Sequence, residues 1–179
     1  MNDLGLLGPA YTFHDIARRK FLPHYKAHHY DKFQEVFKAL SDEKISYALI
    51  ATENSSTGTV DTNQAVIDAH QYQIVETFSL PINLQIGSRF PNTLDGIRKI
   101  YSHPMAIKET KAFFSKYSSI TFIATSSTAG AIEEHLNHNE KDAAVIAGQE
   151  ALEHYGLLNL AKNIEDYQNN KTTFCLIKK

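Results

Sequence analysis

Three apolar runs of strand length, residues 4–7, 47–51 and 121–124, each end in a cluster of hydroxyl and amide residues, and a helical pattern follows every one. The clusters are Gly8-Pro9-Ala10-Tyr11-Thr12-Phe13-His14, Thr52-Glu53-Asn54-Ser55-Ser56-Thr57-Gly58 and Thr125-Ser126-Ser127-Thr128-Ala129-Gly130. In an open α/β sheet, corners of this kind line the crevice at the carboxyl ends of the strands, and the free N–H groups of the helix that follows bind anions. The repetition points to a cleft for a small carboxylate or phosphate ligand.

Period and run length extend the pattern over the whole chain. Strands are expected at 4–7, 47–51, 73–78, 82–86, 98–102, 121–124, 143–147 and 173–177. Helices are expected at about 12–21, 32–40, 60–70, 104–116, 127–137 and 148–155. The alternation indicates α/β architecture with mostly parallel strands. At 179 residues the chain holds one full core, or two modest lobes sharing a hinge. Leu80-Pro81-Ile82 and the polar stretch 163–171 are the candidate crossing points. A last strand returning to the first lobe would set Thr172 at the hinge edge of a cleft between lobes.

Charge and cysteine usage exclude several classes. The formal net charge is -2 and the longest basic run is Arg18-Arg19-Lys20, too little positive charge for a nucleic-acid surface. No apolar run approaches membrane-spanning length and Met1-Asn2-Asp3 does not open a signal peptide, so a cytoplasmic protein with no membrane partner is expected. Cys175 is the single cysteine, which rules out an intramolecular disulfide and a Cys zinc site. Within Phe174-Cys175-Leu176-Ile177 it reads as a buried, inert thiol on a strand. His24 and His28 form an i,i+4 pair, but Pro23, Tyr25, Lys26 and Tyr30 indicate a solvated loop or helix face and no carboxylate stands at matching spacing, so no metal site is expected.

The corners differ in how far they exceed ordinary structural needs. Ser126-Ser127-Thr128 would cap the helix that follows, and three hydroxyls are more than one cap requires. A turn at Gly58 needs one Gly or Asn, yet an acid, an amide and three hydroxyls precede it. Glu53 is read as structural, its carboxylate accepting loop N–H groups. Asn54 and Ser55 are neutral donors able to hold an anion without repulsion. His103 precedes Pro104 at another strand-to-helix corner, and Pro at a helix's first position explains that motif structurally.

Together these segments resemble the catalytic domain of prephenate dehydratases, in the right order and over essentially the whole chain. Gly8-Pro9-Ala10-Tyr11-Thr12-Phe13 is similar to the family's G-P-x-G-T-F-S, and 52–60 to its E-N-S-x-x-G-x-V. Ser102-His103-Pro104-Met105-Ala106-Ile107 is similar to S-H-P-x-A-L, and Thr125-Ser126-Ser127-Thr128-Ala129 to T-S-S-T-A. Asp142-Ala143-Ala144-Val145-Ile146, Tyr155-Gly156-Leu157 and Asn163-Ile164-Glu165-Asp166 follow the family's closing stretch.

The resemblance implies a two-lobed α/β fold of the type II periplasmic-binding-protein class with a ligand cleft between lobes. Lobe 1 would be about 1–79 plus 165–179, and lobe 2 about 80–164. It implies a homodimer that converts prephenate to phenylpyruvate with loss of carbon dioxide and water, in phenylalanine synthesis, without metal or organic cofactor. Thr172 would be the proton donor, with Thr12, Phe13, Asn54, Ser55, Ser126, Ser127, Thr128, Thr173 and Phe174 contacting substrate. The family's T-R-F appears here as Thr172-Thr173-Phe174, so the arginine is absent, and adjacent Lys171 is expected on the opposite side of the strand as a poor replacement. Tyr11 stands where the family has Gly and His14 where it has Ser. The chain stops at Lys179, before any ACT-type regulatory domain, so feedback through one is not expected. A non-catalytic or divergent carboxylate-binding protein on the same scaffold, including a prephenate decarboxylase-like enzyme, is the alternative.

Overall fold

The computed structural model describes residues 2–179. Its elements run β1 (Asp3–Leu7), α1 (Phe13–Phe21), β2 (Lys26–Tyr30), α2 (Phe33–Ser41), β3 (Tyr47–Asn54), β4 (Gly58–Thr59), α3 (Asp61–Ala69), β5 (Gln73–Pro81) and β6 (Leu84–Ser88). A 3-10 turn (Leu94–Gly96) leads to β7 (Lys99–Ser102), α4 (Pro104–Lys108), α5 (Lys111–Phe114), β8 (Thr121–Ala124) and α6 (Thr128–His138). The chain finishes with β9 (Ala143–Gly148), α7 (Gln149–His154), β10 (Leu158–Ala161) and β11 (Lys171–Lys178). Among the described residues no helix is long and apolar enough to cross a membrane.

The chain divides into two compact units, one of residues up to Ile82 together with Asn169–Lys179, the other Asn83–Gln168. In the first, the strand order is β2-β1-β3-β11-β5, with β4 added to β3. Its core on one sheet face joins Ala48, Ile50, Cys175 and Ile177 to Val36, Phe37 and Leu40 of α2 and Ile67 of α3. On the other face α1 packs through Phe21, stacked on Phe78, and through His14, edge-on to Phe174 at 4.9 Å between centroids. The second unit has the order β10-β6-β9-β7-β8. Every residue of β6 and β9 is buried, as a continuous apolar run such as Ala143-Ala144-Val145-Ile146-Ala147 requires of a strand covered on both faces.

The expectation of mostly parallel strands is corrected. The pairs β1–β2, β1–β3, β7–β8 and β7–β9 are parallel, whereas β3–β4, β3–β11, β5–β11, β6–β9 and β6–β10 are antiparallel. Helical crossovers generate the parallel pairs. Four of the antiparallel ones involve β11 or β6, the strands beside the two points where the chain passes from one unit to the other. β11 re-enters the first sheet between β3 and β5 and runs against both.

Two further expectations change. The segment around His28 and His29 is not a loop or helix face but the edge strand β2, paired in parallel with β1. Strand alternation sends the two histidines to opposite sides, His28 Nε2 to Asp3 at 2.8 Å and His29 Nε2 to Asp15 at 3.4 Å. The helix expected at 104–116 is two short helices. The Thr110 hydroxyl donates back to the carbonyls of Ala106 and Ile107, and the Asp166 carboxylate accepts the N–H groups of Ala112 and Phe113, capping α5 afresh.

Candidate functional site

In the first unit, β3 ends at Asn54 beside the start of β11, and the two are tied by side chains. Asn54 Oδ1 accepts the N–H of Ser56 at 2.8 Å and the hydroxyl of Ser56 at 2.6 Å. Because a backbone N–H can only donate, that contact orients the carboxamide and turns Nδ2 towards β11, where it donates to Thr172 Oγ1 at 3.1 Å. Thr172 is therefore an acceptor from Asn54, which leaves its own O–H proton to be given away. Withdrawal of electron density through the accepted bond strengthens that donor.

The neighbouring residue continues the link. Ser55 Oγ donates to Asn170 Oδ1 at 3.3 Å and accepts the Lys171 N–H at 2.9 Å, and the Ser55 N–H donates to the Lys171 carbonyl. Asn170 is buried and was not singled out from sequence, where it reads only as part of a polar loop. The segment 54–56 is thus occupied in holding 170–172. Asn54, expected to touch ligand, has its carboxamide engaged with Thr172 and its own loop.

Strand alternation divides the end of β11. Thr172 and Phe174 share one face with Leu80 and Phe78 of β5, while Lys171 and Thr173 share the other with Pro81 and Ser79. Thr173 pairs across to Glu53 on β3, and its carbonyl accepts from Thr52 Oγ1 at 3.5 Å. Phe174 is buried against His14, and its aromatic ring is part of the core under the corner.

The first corner is built on Thr12. Its hydroxyl donates to the Leu7 carbonyl at 3.2 Å and accepts the Asp15 N–H at 3.4 Å, so this buried cap joins β1 to α1. Phe13 follows, half-buried, as the first residue of α1. Tyr11 has φ of 64°, the left-handed region that Gly enters without strain, so the chain keeps there the backbone a Gly would favour. Its N–H donates to buried Asp15 at 3.0 Å, and the Arg19 guanidinium lies over its ring at 4.0 Å. Asp15 also takes Arg18 at 2.8 Å and Arg19 at 3.0 Å. Burial pushes the Asp15 carboxyl up, but the Tyr11 N–H and the two guanidinium groups outweigh it and hold the group below the usual carboxylate range. The signal for Asp15 is the Thr12-x-x-Asp15 spacing of a capping box, which the sequence reading passed over.

The second unit carries its own hydroxyl corner. Ser127 caps α6 by accepting the Gly130 N–H at 2.9 Å, and the Thr125 hydroxyl donates to the Ser127 carbonyl at 2.9 Å. Ser127 and Thr128 are buried and Ser126 is exposed. At the end of β7, the strand paired in parallel with β8, His103 caps α4 by accepting the Met105 N–H on Nδ1 at 3.1 Å, which puts its proton on Nε2, and burial lowers its pKa. The closing stretch is structural: Glu165 accepts the Leu84 N–H at 2.9 Å and Asp166 caps α5. Among the described residues no group of His, Cys, Asp and Glu is arranged to hold a metal ion.

The prephenate dehydratase family model matches residues 4–179. A prephenate dehydratase of Lactococcus lactis subsp. lactis (strain IL1403) is 30% identical over 179 residues, covering 98% of this chain and 63% of that protein. Among solved structures, a prephenate dehydratase from Arthrobacter aurescens in complex with L-Phe superposes with a TM-score of 0.87 at 21% identity, covering 99% of this chain and 60% of that one. GqqA, described as a novel type of quorum-quenching acylase, superposes with a TM-score of 0.80 at 25% identity, covering 98% of this chain and 63% of that one. The chain spans less than two thirds of the length of each of these three proteins. A putative methionine-binding lipoprotein from Bacillus subtilis and an ABC-transporter periplasmic substrate-binding protein from Coxiella burnetii share the fold at lower similarity, with TM-scores of 0.55 and 0.53. By the extent of the family match, this chain belongs to the prephenate dehydratase family.

Proposed function

We propose that this chain converts prephenate to phenylpyruvate, with Thr172 as the donor to the leaving hydroxyl. The bond from the ring to its carboxylate breaks and releases carbon dioxide. The electron pair left behind completes the aromatic ring and expels hydroxide from the opposite carbon, which takes a proton and departs as water. Aromatisation drives the step, so the protein has to supply a hydrogen-bond donor at the leaving oxygen and polar groups for two carboxylates, and this chemistry calls for no metal or organic cofactor.

The observation that carries this reading is the Asn54–Thr172 hydrogen bond, in a chain that matches the family over residues 4–179. It leaves Thr172 with a proton to direct outward and makes Asn54 the residue that orients it. Thr12 and Phe13 at the start of α1 and Thr173 on β11 are the proposed substrate-facing residues of the first unit, and Ser126, Ser127 and Thr128 form the hydroxyl corner of the second. A cytoplasmic homodimer belongs to the same proposal. Acyl transfer, the chemistry in the description of GqqA, would need a base beside a nucleophile, and the hydrogen-bonding partner of Thr172 is an amide.

Incubation of the purified chain with prephenate, following phenylpyruvate formation and thermal stability together, tests the proposal. Turnover is the expected result. Stabilisation without turnover would favour the carboxylate-binding alternative, and neither effect would overturn both.

A further inference from the structure

A ligand with two carboxylates needs a cation as well as neutral donors, and the Thr172 corner offers only hydroxyls and amides. The cations of the first unit are mostly committed elsewhere. Arg18 and Arg19 pair with Asp15, Lys26 with Asp3, Lys38 and Lys44 with Asp42, and Lys179 with Glu43. Lys20 lies over the Phe21 ring. Lys178 is at the far end of β11, and Lys32 precedes α2 beyond β2, three strands from β11, which is roughly 14 Å at the usual strand spacing.

Lys171 remains. It is exposed, next to Thr172, and enters no ion pair among the described residues. Its backbone is held at both ends, the N–H by Ser55 Oγ and the carbonyl by the Ser55 N–H, so the start of the side chain is positioned while the ammonium is left in solvent. Register places it on the face of Thr173, and Glu53 stands opposite Thr173 on that same face. The Glu53 carboxylate is exposed and likewise outside every ion pair among the described residues, so it would repel an anionic ligand unless a cation faced the ligand too.

We infer that Lys171 is the residue that reads a substrate carboxylate in this chain, its ammonium supplying the charge that the neutral Thr173 beside it does not. The inference rests on the dehydratase reading and names a binding contact for it. Because the side chain is exposed and unpaired, removing its charge should act on ligand binding and leave thermal stability alone.

The test compares the parent chain with Lys171→Met and Lys171→Arg, measuring prephenate kinetics and the affinity for phenylpyruvate at low and high salt. Lys171→Met should raise KM and weaken phenylpyruvate binding by about tenfold or more, the range for a charge-assisted contact, with a smaller change in kcat. Lys171→Arg should retain parental affinity. The parent's affinity should fall with added salt while that of Lys171→Met stays nearly flat. An active parent with an unchanged KM and salt response in Lys171→Met overturns the role of Lys171 and leaves the dehydratase reading standing. A parent that neither converts prephenate nor binds phenylpyruvate overturns the dehydratase reading and this contact with it.

Discussion

The two hydroxyl corners hold their side chains in opposite ways. At the Ser126–Thr128 corner the bonds are local: Ser127 reaches Gly130 and Thr125 reaches the Ser127 carbonyl, so the hydroxyls serve the helix they precede. At the Asn54–Ser56 corner the bonds cross the sheet to Thr172, Asn170 and Lys171, more than a hundred residues along the chain. Similar polar clusters thus do different work. One closes a helix end, and the other aims a hydroxyl on a strand that arrives last. Only the second arrangement leaves a hydroxyl on another strand accepting a side-chain hydrogen bond, and it is this hydroxyl that we propose as the proton donor.

Substitution at equivalent depth in the two corners should separate them. Asn54→Ala removes both the donor to Thr172 and the acceptor for the Ser56 N–H. It should lower dehydratase turnover by about tenfold to a hundredfold, within the span for a group that orients a general acid, and cost about 1–3 kcal/mol of stability from the groups left unpaired. Ser127→Ala should cost about 1 kcal/mol through the lost cap, with a far smaller fall in kcat. Steady-state kinetics and denaturant unfolding of both variants check the contrast. Equal losses of kcat at the two positions would erase the distinction.

Much of the fold was legible because its strands are buried on both faces and therefore continuous in apolar residues, as in β3 and β9. Edge strands carry no such signature. Lys26-Ala27-His28-His29-Tyr30 is polar enough to pass for a loop, and its strand character comes from backbone pairing with β1. The break between α4 and α5 was invisible for a related reason, since the carboxylate that starts α5 is Asp166, some fifty residues away in sequence. Within the corners, residue types pointed to an anion site, but the partner of each side chain did not follow from spacing. Asn54 looked like a ligand donor until its acceptor on β11 was known. Lys171 lies on the face opposite Thr172, as strand alternation requires, and the same alternation makes it share a face with Thr173.

Acidification should give the smallest effect and distinguish the units again. Buried His135 in α6 accepts the Arg89 N–H on Nε2 at 3.1 Å, and burial lowers its pKa, against attraction from Glu140. A base whose folded pKa lies below its unfolded value near 6.5 is protonated preferentially in the unfolded chain, so stability present above that pH is lost as pH falls towards the folded pKa. Asp15 in the first unit is an acid with a lowered folded pKa, and its contribution persists until pH falls below about 3.8. Unfolding midpoints should therefore begin to fall below about pH 6.5 through His135 and His103, both in the second unit, and His135→Gln should make that first decline shallower. A decline unchanged in the glutamine variant would assign it to other groups.

The proposal that Asn54 acts on the chemistry through Thr172 is tested most directly by a double-mutant cycle on phenylpyruvate formation, using Thr172→Val, Asn54→Ala and the two combined. Thr172→Val should lower kcat by roughly two orders of magnitude or more. Once the threonine hydroxyl is gone, Asn54→Ala should reduce kcat little further, because the group it orients is no longer there. Losses that multiply independently, or a Thr172→Val enzyme with parental turnover, would contradict the assignment.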